Sequence, residues 1–371
     1  MQVSDVVIIG AGPAGLACAA ALKMRGRASV VLERQATVGP VWRRHYDRLH
    51  LHTPKYHSAL PGMAMSESYP RYPSRDQVVA YLENYADRHG IAPVFGASVQ
   101  QIRRTQHWEV RTTDQLYRAA NVIVATGFAS FPNRADWPGL AGFPGAVIHS
   151  SDYRNPSSFR GQKVLVVGLG NSGGEIALDL ADAGVTTVLS VRSPVNVIPR
   201  DILGIPAQSF AIAEQHLPPR LVDLVNGAIS RLIMGDISRL GLARASKGPT
   251  TQIVEDKRIP LIDIGTLDRI RRGAIGVRKG VVRIDRSLVH FAAGNPDAFD
   301  AIVLATGFQP DLSPLLPDFT DLLDAAGVPK SSGATGGRGG LWFCGYDIVP
   351  TGHLRQIGRD ALAIARVIAA A

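Results

Sequence analysis

The stretch Ser4-Asp-Val-Val-Ile-Ile9-Gly10-Ala-Gly12-Pro13-Ala14-Gly15-Leu16 decides the fold. Its apolar run up to Ile9 reads as a strand buried on both faces, Gly10 to Gly15 as a tight turn, and Leu16 to Met24 as a helix. Gly10 permits the turn, Gly12 lets backbone N–H groups approach a pyrophosphate, and Gly15 lets helix and strand pack closely. Pro13 and Ala14 open the helix whose positive end faces the phosphates. A second strand over Ala28 to Leu32 leads to Glu33, 23 residues beyond Gly10, and then Arg34. A carboxylate there accepts hydrogen bonds from the ribose hydroxyls of an adenine dinucleotide.

The pattern recurs. Lys163 to Val167 reads as a strand, Gly168-Leu-Gly170-Asn171-Ser172-Gly173 as the turn, Gly174 to Ala183 as the helix and Thr187 to Val191 as the next strand. This time the strand ends in Arg192-Ser193, with Arg192 24 residues after Gly168. NADP-specific sites put a cation there against the 2′-phosphate; a solvated arginine at a strand end is the plainer reading. Two segments, Asn121 to Gly127 and Ala301 to Gly307, each end in Ala-Thr-Gly (Ala125-Thr126-Gly127 and Ala305-Thr306-Gly307) and bracket the second unit. Near the C-terminus Gly340-Leu-Trp-Phe-Cys-Gly345-Tyr-Asp347 reads as a short buried strand with a glycine and an acid suited to a flavin's ribityl chain. The fold expected is α/β: two Rossmann-like dinucleotide-binding domains, the second nested in the first. Its expected limits are 1–155 for the first segment of the first-cofactor domain, 156–295 for the nested second-cofactor domain, and 296–371 for the return segment.

Composition agrees. With 371 residues, 46% hydrophobic and 19% charged, the chain buries a large core in two or three domains, which excludes general disorder and a lone small module. The formal charge is +9, but its 33 Arg and 7 Lys form no polybasic run, so nucleic acid is not the expected partner. Cys18 and Cys344 have no C-x-x-C or metal-type spacing, which fits a reducing, cytoplasmic setting. The apolar start is broken by glycines and lacks a basic leader, no run reaches the ~18 to 20 apolar residues of a membrane span, and the C-terminal Ala361 to Ala371 reads only as a short helix.

Several side chains stay open to two readings. His45, His50, His52 and His57 could form a metal group, yet no cysteine or carboxylate cluster accompanies them, so no metal is expected and they read as a polar wall near the flavin. His149 suits acid–base catalysis, or, more simply, fixes a hinge between domains. The apolar stretch Ile202 to Leu242, broken by Pro206 and Pro218-Pro219, reads as a helical insertion that packs on the NADPH domain, covers a substrate cavity or touches a membrane surface.

Beyond these readings the sequence resembles the class B flavin monooxygenases, and most closely the YUCCA-like flavin-containing monooxygenases that act on indole-3-pyruvate. The residues that carry the likeness run along nearly the whole chain: the two glycine turns; Trp42-Arg-Arg-His-Tyr-Asp-Arg-Leu49 leading to Leu51-His52-Thr53-Pro54-Lys55; Phe143-Pro-Gly145-Ala-Val-Ile-His149; and, downstream, Ile264-Gly-Thr-Leu267 and Arg272-Gly-Ala-Ile275. The resemblance implies FAD on the first turn, with Trp42 and His52 beside it, NADPH on the second, and dioxygen activated as a peroxyflavin at the flavin C4a. The cofactor then does the hard chemistry while the protein orients it and excludes water. Thr53 with its neighbours His52 and Lys55, and Asn171 with Ser172, are the expected supporting groups; Thr53, Asn171 and His149 are the residues expected to matter for catalysis, since loss of His149 would damage turnover. Many members carry Thr-Asn near the place of His52-Thr53-Pro54; this chain lacks the Asn.

The activity implied is FAD- and NADPH-dependent oxygenation of a small molecule, indole-3-pyruvate or a related 2-oxo acid, with loss of CO2. A cation would meet the substrate carboxylate, and the sequence does not choose among Arg43, Arg200 and Arg355. N- or S-oxygenation, Baeyer–Villiger insertion, a flavin reductase and a non-catalytic NADPH sensor are the alternatives. A disulfide reductase needs the thiol pair that the spacing lacks.

Overall fold

The computed structural model describes residues 1–129 and 131–371. The chain divides into two compact units, one of residues 1–43, 53–131 and 308–371, the other of 44–52 and 132–307.

The first unit is built on an eight-stranded sheet. Its ordered path runs Gly333–Arg338, Leu341–Phe343, Leu116–Val124, Gln2–Ile9, Ser29–Glu33, Val94–Phe95, and the antiparallel pair Val99–Arg104 and Trp108–Thr112 joins at Leu116–Val124. Gln2–Ile9 lies between parallel neighbours, with Ile8 opposite both Val31 and Ile123. A strand covered on both faces needs the unbroken apolar run that the sequence supplies. One face carries Val7, Ile9, Val124, Trp108 and Phe343 in a common core with Leu312 and Leu316. Helix Pro13–Lys23 is buried from Ala14 to Leu22, because its run of small alanines lets it lie close to helix His353–Ala370. That C-terminal helix buries Leu354, Ile357, Ala361, Ile364, Ala365 and Ile368, and so begins eight residues before the Ala361 at which the sequence reading starts it. Polar residues between these positions disguise its first two turns.

The second unit carries five parallel strands in the order Ile275–Arg278, Thr186–Ser190, Lys163–Val167, Ala301–Leu304, Ala146–His149. Helix Asn171–Asp182 follows the central strand. A three-stranded antiparallel sheet, Val281–Asp285, Leu288–Phe291 and Asp297–Ala298, supplies Ile284, Val289 and Phe291 to the core of Phe143, Leu165, Phe299 and Ile302. The limits expected at 155/156 and 295/296 therefore move. Ala146–His149 and Ala301–Leu304 hydrogen-bond into this sheet, so it begins at residue 132 and ends at 307, and residues 44–52 belong to it as well.

The apolar stretch Ile202 to Leu242 holds helices Ala207–Ala213 and Pro219–Met234. The longer helix buries Val222, Ser230 and Met234 and turns Leu224 and Leu232 outward, 74% and 87% exposed. No helix of the described residues is long and apolar enough to cross a membrane.

Candidate functional site

The two glycine turns are built alike, and their three glycines divide the labour in the same way. A Cβ on Gly10, whose φ is +109°, would lie 2.6 Å from Ala125 O, and one on Gly15 would lie 1.8 Å from Gly10 O. A Cβ on Gly12 would meet nothing within 4 Å. The outer glycines let protein pack on protein, and the middle one keeps an open approach to the backbone. Pro13 follows at the first helical position, where no N–H is needed.

Glu33 closes this turn. It is 6% exposed, and its two carboxylate oxygens accept from Ala11 N at 2.8 Å and Gln35 N at 2.9 Å. Each oxygen keeps a further lone pair for a sugar hydroxyl. Arg34 beside it is exposed, and Trp42 is half-buried on the short helix Pro40–Arg44. Ala125 N donates to Ile9 O, and the Thr126 hydroxyl pairs with the Tyr346 hydroxyl at 2.7 Å, which ties the Ala-Thr-Gly segment to the C-terminal strand end. Burial pushes the Tyr346 phenol up to about 12, so it stays protonated. Gly345, at φ +88°, passes so close to the turn that a Cβ would lie 3.0 Å from that of Ala14; Asp347 follows, half-buried. Thr53 Oγ1 is 2.7 Å from Ser58 Oγ, which itself donates to Pro54 O at 2.9 Å. The Thr53 proton is thus committed to Ser58, leaving its oxygen as an acceptor.

In the second unit Gly168 (φ +109°) and Gly173 again leave no room, with Cβ positions 2.4 Å from Ala305 O and 2.1 Å from Gly168 O, whereas Gly170 faces open space. Ala305 N donates to Val167 O at 2.8 Å, and the Thr306 hydroxyl donates to Asn133 O. Asn171 Oδ1 accepts from Ile262 N at 2.8 Å and so anchors the helix start to strand Leu261–Asp263. Arg192 is exposed and, among the described residues, makes no ion pair, while Ser193 is half-buried. A Cβ on Gly280 would lie 3.0 Å from that of Arg192, so this glycine makes room for the arginine's stem.

His149 is fully buried at the end of its strand. Its Nε2 lies 2.9 Å from Gly307 O and its Nδ1 3.1 Å from Ser151 N. A carbonyl only accepts and an amide N–H only donates, so the ring is the neutral Nε2–H tautomer. Burial holds its pKa below the ordinary value. Both nitrogens are committed within the unit, and the candidate base is a structural tie between strand Ala146–His149 and Gly307.

The sequence reading missed a buried carboxylate. Glu175, 2% exposed in helix Asn171–Asp182, accepts from the Tyr46 hydroxyl and lies 3.6 Å from His52 Nε2. Burial and this carboxylate push the Tyr46 phenol far up, while the Ser172 side chain hydrogen-bonds it. Arg48 pairs with Asp182 at 2.7 Å, so residues 44–52 are clamped along the helix. The available signal was a lone Glu inside the apolar run Gly174-Glu-Ile-Ala-Leu178. His52 Nδ1 is buried and has no hydrogen-bond partner among the described residues. The four histidines do not converge: His50 donates to Arg48 O, His45 packs on Tyr46 and His57 on Tyr56. Among the described residues no cluster could hold a metal. Cys18 and Cys344, distant in sequence, meet in the first unit, where contact with the Cys18 thiol and burial raise the Cys344 pKa well above its ordinary value.

The open middle glycines, the inward Glu33 and the orphaned His52 nitrogen suit large ligands that carry phosphate and hydrogen-bonding rings. Comparison with known proteins agrees. Residues 7–201 match the family described as pyridine nucleotide-disulphide oxidoreductase. The chain is 41% identical to indole-3-pyruvate monooxygenase YUCCA1 of Oryza sativa subsp. japonica, over 99% of this chain and 91% of that one. It is 38% identical to the probable indole-3-pyruvate monooxygenase YUCCA4 of Arabidopsis thaliana, over 92% and 84%. The solved flavin-containing monooxygenase of Stenotrophomonas maltophilia shares the fold, with a TM-score of 0.76 at 24% identity over 100% of this chain and 99% of that one. The chain therefore belongs to the YUCCA family of flavin-dependent monooxygenases.

Proposed function

We propose that this enzyme converts indole-3-pyruvate, or a closely related 2-oxo acid, to the acid one carbon shorter. In the balanced reaction the 2-oxo acid, NADPH, O2 and a proton give the shortened carboxylate, CO2, NADP+ and water. The observation that carries this reading is the pair of glycine turns with open middle glycines, in a chain alike over 99% of its length to an indole-3-pyruvate monooxygenase.

In this reading the two units are nested Rossmann-like domains. The Gly10–Gly15 turn would hold FAD, with Glu33 accepting from its ribose and Thr126 and Gly345–Asp347 along its ribityl chain. The Gly168–Gly173 turn would hold NADPH, with Arg192 and Ser193 on its 2′-phosphate. Bound FAD would supply the activation of O2 with electrons from NADPH. The protein's own part is to bind and orient: Glu33 and Arg192 select the nucleotides, Thr53 offers a lone pair, and Asn171 fixes the start of the second helix. His149 is a positioning residue that holds the Ala-Thr-Gly turn at Gly307. The two reduced cysteines accord with action in the cytoplasm.

The test is turnover under 18O2 with NADPH and indole-3-pyruvate. One labelled oxygen in the carboxylate of indole-3-acetate, with one NADPH consumed per product, is the expected result. NADPH oxidation that yields only hydrogen peroxide with this substrate would overturn the assignment of 2-oxo acids.

A further inference from the structure

Helix Pro219–Met234, in the second unit, inverts the arrangement of an ordinary surface helix. Asp223, Asn226 and Ser230 face neighbouring segments, and each is tied to one. Asp223 accepts from Thr250 N and Thr251 N at 2.8 Å, Asn226 donates to Glu214 Oε2 at 2.7 Å, and the buried Ser230 hydroxyl donates to Val197 O at 3.3 Å. These bonds fix the rotation of the helix about its axis. They leave Leu221, Leu224, Val225, Ile229, Leu232 and Ile233 exposed, a continuous apolar stripe over about three turns.

A second apolar element of the same unit is also held outward. The hairpin of Asp201–Ile202 and Ile205–Pro206 ends in Leu203, 95% exposed with φ at +50°, a left-handed conformation that a bulky apolar residue seldom adopts.

The stripe on the helix is edged by cations. Arg220, 87% exposed, has only Glu255 near it, at 4.0 Å, a solvated pair that holds it weakly. Arg231, about three turns further on and on the same flank, is exposed and makes no ion pair among the described residues. Asp223, the one carboxylate of the helix, is committed to the two backbone N–H groups.

An apolar stripe bordered by arginines, with no outward acid, matches a lipid surface that carries anionic headgroups. The aliphatic side chains enter the boundary of the acyl chains while the guanidinium groups meet phosphates. At 16 residues the helix is about 24 Å long, so it lies along such a surface and does not cross it. A second copy of the chain fits less well. Two-fold pairing sets one surface against itself, and would bring Arg220 and Arg231 of one helix to those of the other with no carboxylate between them.

We propose that helix Pro219–Met234 docks the enzyme on anionic membrane surfaces, with Leu224 and Leu232 entering the lipid and Arg220 and Arg231 on headgroup phosphates. Docking does not depend on the reaction proposed above, so either can fail alone.

The experiment is co-sedimentation of the FAD-loaded full chain with vesicles of phosphatidylcholine alone and of phosphatidylcholine mixed with phosphatidylglycerol. Binding to the mixed vesicles is expected, and at least about 10-fold weaker binding to the neutral ones. Leu224→Glu with Leu232→Glu should abolish it while flavin content and Tm stay unchanged, because both side chains are exposed. Arg220→Gln with Arg231→Gln should weaken it about 10- to 30-fold, each cation beside an anionic surface being worth about fivefold. Failure to sediment with the mixed vesicles overturns the proposal, as does equal binding to both vesicle types or binding that the leucine pair does not weaken. A lipid-free dimer in sedimentation velocity that Leu224→Glu with Leu232→Glu splits into monomers would also overturn it, assigning the stripe to a second copy of the chain.

Discussion

The turns at Gly10–Gly15 and Gly168–Gly173 are near copies in backbone and opposites in charge. In both, the outer glycines are enclosed by protein and the middle one is open; both first glycines sit at φ +109°. They part at the end of the next strand. Glu33 is folded inward and holds two backbone N–H groups, whereas Arg192 stands exposed with no carboxylate partner among the described residues. In the function proposed, the backbone makes a place for a pyrophosphate, and one side chain decides whether the adjoining ribose is met by an acceptor or a cation.

The largest effects should come from breaking what the turns share. Gly15→Ala or Gly173→Ala drives a methyl into a carbonyl oxygen 1.8 or 2.1 Å away, and each is expected to cost about 3 kcal/mol or more through forced backbone shifts. Thermal unfolding of the purified variants reads this; Tm values within ~2 °C of the parent would mean the turns are slack.

Next come the residues in which the turns differ. Arg192→Gln should raise the KM for NADPH about 10- to 100-fold and leave that for NADH within about twofold, because only the 2′-phosphate contact is lost. Equal losses with both nucleotides would place Arg192 elsewhere in the account. Glu33→Gln turns an amide N–H toward a backbone N–H and should weaken FAD retention by a similar factor, visible as flavin lost on gel filtration.

The smallest effect concerns pH. The folded state holds the His149 pKa below that of the unfolded chain, so the unfolded state binds more protons as pH falls below about 6.5, and stability declines there. His149→Gln should flatten that decline in denaturant titrations at pH 7 and pH 5.5. An unchanged slope would show that His149 contributes nothing to it.

Both turns, Glu33 and Arg192 were legible in the sequence because each lies within about 25 residues of its partners, in elements with plain periodicity. What escaped depends on distant pairing. Ala301–Leu304 ends in the same Ala-Thr-Gly as Asn121–Gly127, yet it hydrogen-bonds between Lys163–Val167 and Ala146–His149 and so belongs to the second sheet. The clamp of Tyr46, Arg48 and His52 on Glu175 and Asp182 spans more than 120 residues, and nothing in either segment alone announces it. The contact of Cys18 with Cys344 was hidden for the same reason.

Whether each turn holds its own nucleotide is decided by filling the open middle glycines one at a time. Gly12→Val and Gly170→Val place side chains in free space, so both should fold. The measurement is flavin absorbance of each purified variant, followed by anaerobic addition of NADPH and then dithionite. Gly12→Val is expected to be isolated without FAD, and Gly170→Val to retain FAD that dithionite reduces but NADPH does not. A Gly12→Val protein that keeps its flavin, or a Gly170→Val protein reduced normally by NADPH, would contradict the assignment of one nucleotide to each turn.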